Sequence, residues 1–234
     1  MLPLRDNVPT RQFPIVTLAI IAANVAVWLW EVTGTSVERD VYEYGYYPCS
    51  IEGPCLGRAT DHLPAYDGVF TSMFMHGSWL HIAGNMLFLW IFGNNVEDAL
   101  GRVRYLFWYL AAGVAAAALQ TFITLTFGNA QDASIPNVGA SGAIAGVLGA
   151  YFLLLPNSSV LTAIFLGFFF FLQEIPAIFF LGIWFLFQLW QGGFSLVEPE
   201  QGGGVAFFAH VGGFAFGLLT IRAVMQRPPL RPSY

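Results

Sequence analysis

Residues 139–155 read GASGAIAGVLGAYFLLL, with one serine between two glycines at the start of an uninterrupted apolar stretch. The glycines permit a tight turn into a helix, and a helix N-terminus presents unpaired N–H groups and a positive dipole end. Such a place would stabilise a developing oxyanion, so Ser141 is a candidate nucleophile. The alternative is a small-residue packing motif in which Ser141 only joins two helices by hydrogen bonding.

The rest of the chain is also strongly apolar. Of its 234 residues, 56% are hydrophobic and 10% are charged, whereas a soluble domain averages about 25% charged residues. This predicts a single all-α, polytopic membrane domain over residues 1–234, with its core at about 14–225 and a disordered tail at 226–234. The net charge of −5 and the lack of a basic stripe argue against a nucleic-acid partner.

Six segments are candidates for membrane-spanning helices, because a bilayer core of about 30 Å needs about 20 apolar residues per helix. The first is too long for the apolar part of a signal peptide, so we expect it to be retained. The apolar stretch 160–172 is short for a span and is followed by Pro176, which indicates a re-entrant or interfacial piece. The predicted spans are about 14–33, 80–100, 103–127, 139–156, 175–192 and 205–225.

The arginines set the predicted orientation. With six spans, seven of the nine arginines lie on the side of both termini, which predicts cytoplasmic termini. A seventh span would move Arg222, Arg227 and Arg231 to the opposite side, so we reject it. The absence of lysine and of an appended soluble domain favours a bacterial inner membrane.

Two segments are predicted to lie on the opposite, external side. Residues 34–79 mix aromatic residues, glycine, proline and acids, and we expect this loop to be partly embedded in the headgroup region. Its cysteines, Cys49 and Cys55, either form a small disulfide or remain free thiols. Residues 192–204 are rich in glycine, which predicts a flexible loop.

Polar residues inside a membrane span are costly, so each is a candidate functional residue. His210 in the sixth span is a base suited to removing the proton of a serine at neutral pH. A lone histidine could equally be a packing residue. However, the spacing Gly142-x-x-x-Gly146 after Ser141 and Gly213-x-x-x-Gly217 after His210 would let the two helices approach closely.

His81 and Asn85 in the second span are four residues apart and therefore share one helix face. Both side chains can donate hydrogen bonds, so with the Ser141 N–H they could complete an oxyanion hole. The alternative is an interhelical hydrogen-bonding pair. The second, fourth and sixth spans all run inward, which places Ser141, His210 and this pair at one depth near the external side.

Together these residues resemble the rhomboid family of intramembrane serine proteases. The resemblance covers about residues 70–225 and consists of three motifs in the same order along the chain. They are His81-x-x-x-Asn85, Gly139-x-Ser141-Gly142 and Ala209-His210-x-x-Gly213-x-x-x-Gly217.

The resemblance implies a six-helix core and a catalytic dyad of Ser141 and His210 without a third acid. It implies that His81 and Asn85 stabilise the oxyanion, with the Gly139 backbone beside them. It also implies structural roles for two further residues, a membrane-embedded first loop, and a movable cap at residues 192–204. Those two residues are His76 and Glu97.

One position departs from the family pattern. Some members have a tyrosine four residues after the serine, where it supports the histidine ring, but this chain has Ala145. Either another residue packs against His210, or the ring is held more loosely.

We therefore expect an endopeptidase that cleaves transmembrane segments of membrane proteins near the external membrane face, without a metal or a cofactor. Its partners would be transmembrane substrates and the lipid bilayer, and helix-weakening residues should favour cleavage. One alternative is a non-catalytic rhomboid-like protein that binds membrane clients. Another is a small channel or transporter, which would show internal repeats that are not evident in the sequence.

Overall fold

The computed structural model describes residues 1–34, 36–57, 59, 63–167, 169–197 and 206–232. Six of its helices lie within a few residues of the six predicted spans. In chain order the elements are β1 (Leu2–Asp6), α1 (Ile15–Thr33), α2 (Val37–Tyr44), a 3-10 turn (Pro48–Ser50), α3 (Ala65–Thr71), α4 (Trp79–Leu100), α5 (Arg102–Phe127), α6 (Ala130–Ala133), α7 (Ser141–Leu154), β2 (Ser159–Leu166), β3 (Phe169–Pro176), α8 (Ala177–Val197) and α9 (Phe207–Val224).

Among the described residues, four helices are long and apolar enough to cross a membrane. They are α1, α5, the Ala177–Ser195 part of α8, and α9. Helices α4 and α7 are not among these four. Helix α4 has 22 residues but carries Glu97 and Asp98, and α7 has only 14 residues. The prediction of a mostly helical membrane protein is therefore confirmed, and the count of six spans stays a prediction.

The prediction of an all-α fold is wrong, because three strands form an antiparallel sheet in the order β1-β2-β3. Strands β2 and β3 occupy the stretch 160–172 that hydropathy assigns to a re-entrant or interfacial piece. The stretch is rich in aromatic and β-branched residues, which favour strands. Gly167 adopts a φ of +60° between the two strands, and glycine accepts this conformation readily.

The two predicted external loops contain more regular structure than expected. Residues 34–79 include α2, the 3-10 turn and α3, and Cys49 and Cys55 form a disulfide. Whether this loop is embedded in the membrane stays a prediction. The predicted loop at 192–204 begins too early, since α8 continues to Val197. Residues 198–204 lie outside the described part of the chain.

Helix α7 lies at the centre of the fold, and every residue from 142 to 151 is buried. It packs against α9 with almost no side-chain atoms between the two backbones. A Cβ atom on Gly213 would overlap the carbonyl of Gly142, and one on Gly217 would overlap the carbonyl of Gly146. We call this contact the glycine seam; its members are Gly142, Gly146, Gly149, Gly213 and Gly217.

Glu97 holds the start of α1 against the end of α4. Its carboxylate accepts hydrogen bonds from the backbone N–H groups of Val16, at 3.0 Å, and Thr17, at 2.7 Å. Pro14, which precedes α1, makes no side-chain cap. Glu97 on α4 therefore accepts hydrogen bonds from N–H groups that have no partner within α1. The structural role that the family resemblance implies for Glu97 thus has a physical basis.

Candidate active site

Ser141 is the first residue of α7, and Ala140 before it provides no side-chain cap. The first N–H groups of this helix therefore point toward the site without an intrahelical partner. Gly139 enters the turn with a φ of +119°, a conformation that residues with a Cβ atom rarely adopt. Its N–H donates to the carbonyl of Ser72 at 2.8 Å, which fixes the turn to the segment after α3.

His210 lies opposite Ser141 on α9. Its Nε2 atom is 2.8 Å from the Ser141 Oγ, within hydrogen-bonding distance. The two residues reach each other because the glycine seam lets α7 and α9 approach closely along the same stretch. The geometry suits transfer of the serine proton to the imidazole ring.

The second nitrogen of His210 contacts a residue that lies outside the three sequence motifs. The Nδ1 atom is 2.8 Å from the Oε1 atom of Gln188 on α8, and the ring of Trp184 lies over the imidazole at 5.9 Å between centroids. Ala145 instead faces the glycine seam, 3.2 Å from where a Cβ on Gly213 would lie. Gln188 is a polar residue in an apolar helix, so the rule that singles out intramembrane polar residues applies to it as well.

His81 and Asn85 face the turn that precedes Ser141. A Cβ atom on Gly139 would lie 2.7 Å from the His81 Nε2 and 3.6 Å from the Asn85 Nδ2. Only a glycine can bring the backbone this close to both side chains. The structure thus brings all five predicted site residues together, and their catalytic roles stay predictions.

Asn85 belongs to a group that we call the polar cluster, in which Glu31, His76 and Asn85 are buried and His81 is half-buried. The Asn85 Nδ2 lies 2.9 Å from the His76 Nε2, and the His76 Nδ1 lies 3.2 Å from the carbonyl of Phe74. The backbone N–H of His76 donates to the Glu31 carboxylate at 3.2 and 3.3 Å. His76 and His81 meet edge to face, with 5.0 Å between ring centroids.

His76 is held neutral by its surroundings, so its Nε2 can accept a hydrogen bond from Asn85. Burial, and second the nearby His81, lower the pKa of His76 to about 4. An amide NH₂ group has two N–H bonds, so one of them remains for a second acceptor. The polar cluster therefore orients Asn85 toward the turn before Ser141 and leaves one of its two N–H groups available.

A cavity of about 50 Å³ opens beside Ser141. It extends between α5, α7 and the segment after α3, and its walls are mostly small side chains. Among the residues that line it are Ser72, Met73, Gly113, Ala116, Gln120 and Gly142. The space is large enough for a small side chain next to the serine hydroxyl.

Comparisons with known proteins identify what the chain is similar to. The family model described as the Rhomboid domain matches residues 65–227. The chain is 31% identical over 209 residues to the presenilin-associated rhomboid-like protein, mitochondrial, of Bos taurus, covering 86% of this chain and 46% of the relative. It is 27% identical over 161 residues to Rhomboid protein 1, mitochondrial, of Saccharomyces cerevisiae, covering 68% of this chain and 42% of that protein.

A plant relative is more limited in extent. Rhomboid-like protein 11, chloroplastic, of Arabidopsis thaliana is 35% identical over 86 residues, which is 37% of this chain and 28% of that protein. The chain therefore spans less than half the length of these curated relatives.

The relatives contradict one prediction, that of a bacterial inner membrane with cytoplasmic termini. Their names place them in mitochondria or chloroplasts of eukaryotes. The bacterial membrane was inferred from the absence of lysine and of an appended domain, and neither feature is a physical requirement of a bacterial membrane. The cytoplasmic termini were inferred from the arginines, whose distribution does not identify the compartment.

Proposed function

Because the chain belongs to the rhomboid family, we propose that it is an intramembrane serine endopeptidase that cleaves transmembrane segments of membrane proteins. The observation that carries this proposal is the 2.8 Å contact between the Ser141 Oγ and the His210 Nε2 at the start of a buried helix. A serine hydroxyl is a weak nucleophile until a base accepts its proton, and this contact supplies the base.

The proposed reaction uses two acyl-transfer steps. The Ser141 Oγ attacks the scissile carbonyl while its proton passes to the His210 Nε2. His210 then gives this proton to the leaving amine as the peptide C–N bond breaks, leaving an acyl-enzyme ester. A water molecule, deprotonated by His210, attacks the ester and releases the new carboxyl end and the free serine.

The negative oxygen that forms in each step needs hydrogen-bond donors. The Ser141 N–H at the start of α7 is one, and the side chains of His81 and Asn85 lie across the Gly139 turn from it. Donors held in place before the reaction stabilise charge without reorganising, which is their main contribution to the rate.

The surroundings of the dyad favour a substrate with a small side chain at the cleaved bond. The adjoining cavity measures about 50 Å³ and is lined mostly by small side chains. It can therefore take a small side chain such as that of alanine or serine. Because a helical segment hides its carbonyls in hydrogen bonds, residues that weaken the helix should also favour cleavage.

The six helices that match the predicted spans would together enclose this site in the bilayer. Ser141, His210 and the His81/Asn85 pair lie near the starts of α7, α9 and α4, so they share one depth near one membrane face. Cleavage would therefore occur near that face of the substrate segment. The shortness of α7 would leave a water-accessible hollow above the serine.

The test uses the purified chain in detergent with a model transmembrane substrate that carries alanine at the scissile position. We expect the wild-type protein to cleave it and Ser141→Ala and His210→Ala to lose cleavage by at least about 10³-fold. Ser50→Ala is the matched control, since the Ser50 hydroxyl donates to the Tyr47 carbonyl within its own turn.

Two results would overturn the proposal. Cleavage by Ser141→Ala at the wild-type rate would exclude Ser141 as the nucleophile, and loss of cleavage on adding a chelator would then indicate a metal mechanism. A wild-type chain that binds transmembrane segments but cleaves none of them would instead indicate a non-catalytic, client-binding rhomboid.

A further inference from the structure

Helix α8 contributes a buried polar side chain to the dyad. The Oε1 of Gln188 lies 2.8 Å from the Nδ1 of His210, on the side of the ring opposite Ser141. Building on the proposed protease function, we propose that Gln188 is the positioning residue of His210. Its neutral amide would occupy the position that the carboxylate occupies in a Ser-His-Asp triad.

The contact selects one tautomer of the histidine. An amide oxygen can only accept a hydrogen bond, so the His210 Nδ1 must carry the proton. The Nε2 atom then has a free lone pair, and it is this atom that faces the Ser141 hydroxyl. The opposite tautomer would present an N–H to the serine and could not accept its proton. In serine proteases with a carboxylate partner, the carboxylate serves this same orienting purpose.

The surroundings make this hydrogen bond costly to lose. Gln188 is only 6% exposed, and its neighbours on α8 are almost all apolar. A buried amide without a partner has given up its hydrogen bonds to water and makes none in the protein, which costs free energy. Trp184, one turn earlier on α8, covers the imidazole ring and restricts its tilt. Helix α8 thus provides both the acceptor and the packing surface that Ala145 on α7 does not provide.

A neutral acceptor has a chemical consequence. It orients the imidazole but does not favour the imidazolium as a carboxylate would. A glutamate at position 188 keeps an acceptor at the same chain length and adds a negative charge beside the ring. It should therefore raise the pH at which His210 gains a proton and becomes unable to act as a base. His81, the other titratable side chain near His210, stays the same in every variant.

The experiment compares Gln188→Leu and Gln188→Glu with the wild-type protein, measuring kcat and KM from pH 5 to 9 on the model substrate. Gln188→Leu preserves volume and removes the acceptor, and we expect its kcat to fall about 10-fold or more with KM unchanged. We expect Gln188→Glu to keep its kcat within a few-fold of wild type at high pH, with the acidic limb of its kcat profile shifted to higher pH.

Gln173→Leu is the matched control, because Gln173 is exposed on β3 and lies away from the dyad. Its kcat and its melting temperature should match those of the wild-type protein. The rate at which Ser141 reacts with a fluorophosphonate probe gives a second readout that needs no transmembrane substrate. Gln188→Leu should slow this reaction, and Gln188→Glu should restore it.

The outcomes separate this inference from the proposed function. Failure of the wild-type chain to cleave, or cleavage by Ser141→Ala, overturns the protease function itself. If those two controls behave as expected, a wild-type kcat in Gln188→Leu overturns the role of Gln188. Equal losses in Gln188→Leu and Gln188→Glu, with the pH profile unmoved, would also overturn it, since they would show that Gln188 only supports the fold.

Discussion

Ser141 and His210 face each other across two helices that touch backbone to backbone, whereas Asn85 is oriented by buried hydrogen bonds and His81 packs edge to face against His76. The glycine seam contains no side-chain polar atoms and almost no side-chain volume. The polar cluster holds Asn85 through His76, and His76 through the Glu31 carboxylate. The two halves of one site are therefore positioned by different forces.

This difference predicts opposite sensitivities. Substitutions that add side-chain volume should disrupt the glycine seam, because they force the α7 and α9 backbones apart and so move Ser141 away from His210. The polar cluster should fail when a donor or an acceptor is removed, because its buried partners would be left unsatisfied. Substitutions that change one property and keep the other can distinguish these two cases.

The largest effect should come from Asn85→Ala, which removes a proposed oxyanion donor. We expect turnover of the model substrate to fall by about 10²–10³-fold, because the lost hydrogen bond acts mainly in the transition state. Steady-state kinetics of the purified variant measure this directly, and KM should change little.

The control for this variant is Asn157→Ala, an exposed asparagine in the turn between α7 and β2. It should leave kcat unchanged. If Asn85→Ala lowers the melting temperature but keeps the wild-type kcat, then Asn85 serves only the polar cluster and is not an oxyanion donor.

The next effect should come from Gly217→Ala, which adds one methyl group to the glycine seam. A Cβ atom there would overlap the Gly146 carbonyl, so the helices must separate. We expect a loss of about 3 kcal/mol in the free energy of unfolding, at the upper end for overpacking, together with loss of the 2.8 Å contact in the dyad. Denaturant titration in detergent, followed by circular dichroism, measures the stability.

Gly193→Ala is the matched substitution for this experiment. Gly193 is also helical, and a Cβ atom there would meet no described atom within 4 Å. Since alanine favours helices more than glycine does, this variant should be about 0.5–1 kcal/mol more stable than wild type. Equal stability changes in the two variants would show that the glycine seam is not a close contact.

The contrast between the two halves also explains what the sequence could predict. The contact between Ser141 and His210 was predictable because each residue lies beside a small-xxx-small spacing, a local pattern that is typical of close helix packing. The helix bounds were predictable from hydropathy to within a few residues, except that α8 extends beyond the predicted end of its span. Hydropathy also missed β2 and β3, because an apolar strand and an apolar membrane segment have the same composition.

The contact of Gln188 with His210 and the contact of Glu97 with α1 could not be predicted from the spacing of residues in the sequence. Each depends on two helices that are distant in sequence meeting at one residue, as α8 does with α9 through His210. A single polar residue in an apolar helix signals that a partner exists, but does not identify it. The same holds for Glu31, whose partner is the backbone of His76 in the loop before α4.

The smallest predicted effect concerns the pH dependence of the polar cluster. Burial lowers the pKa of His76 from 6.5 to about 4, so between these pH values the unfolded chain binds a proton that the folded chain does not. The contribution of His76 to the free energy of unfolding should therefore fall as the pH decreases from 6.5 toward 4, by up to about 1.4 kcal/mol per pH unit. At pH 7 and above the contribution is fully retained.

His76→Gln tests this prediction, since a glutamine carbonyl can accept the Asn85 hydrogen bond but does not titrate. Other groups also titrate over this range, so the informative quantity is the difference between the two proteins, measured by denaturant titration at pH 7.5, 6.5 and 5.5. We expect the wild-type protein to lose about 1 kcal/mol more than His76→Gln between the last two pH values. Parallel losses would mean that His76 titrates at its ordinary pKa and that the polar cluster tolerates a charged imidazolium, which would remove the acceptor role assigned to its Nε2. The glycine seam has no titratable group, so Gly217→Ala should keep the pH dependence of the wild-type protein even though it is far less stable.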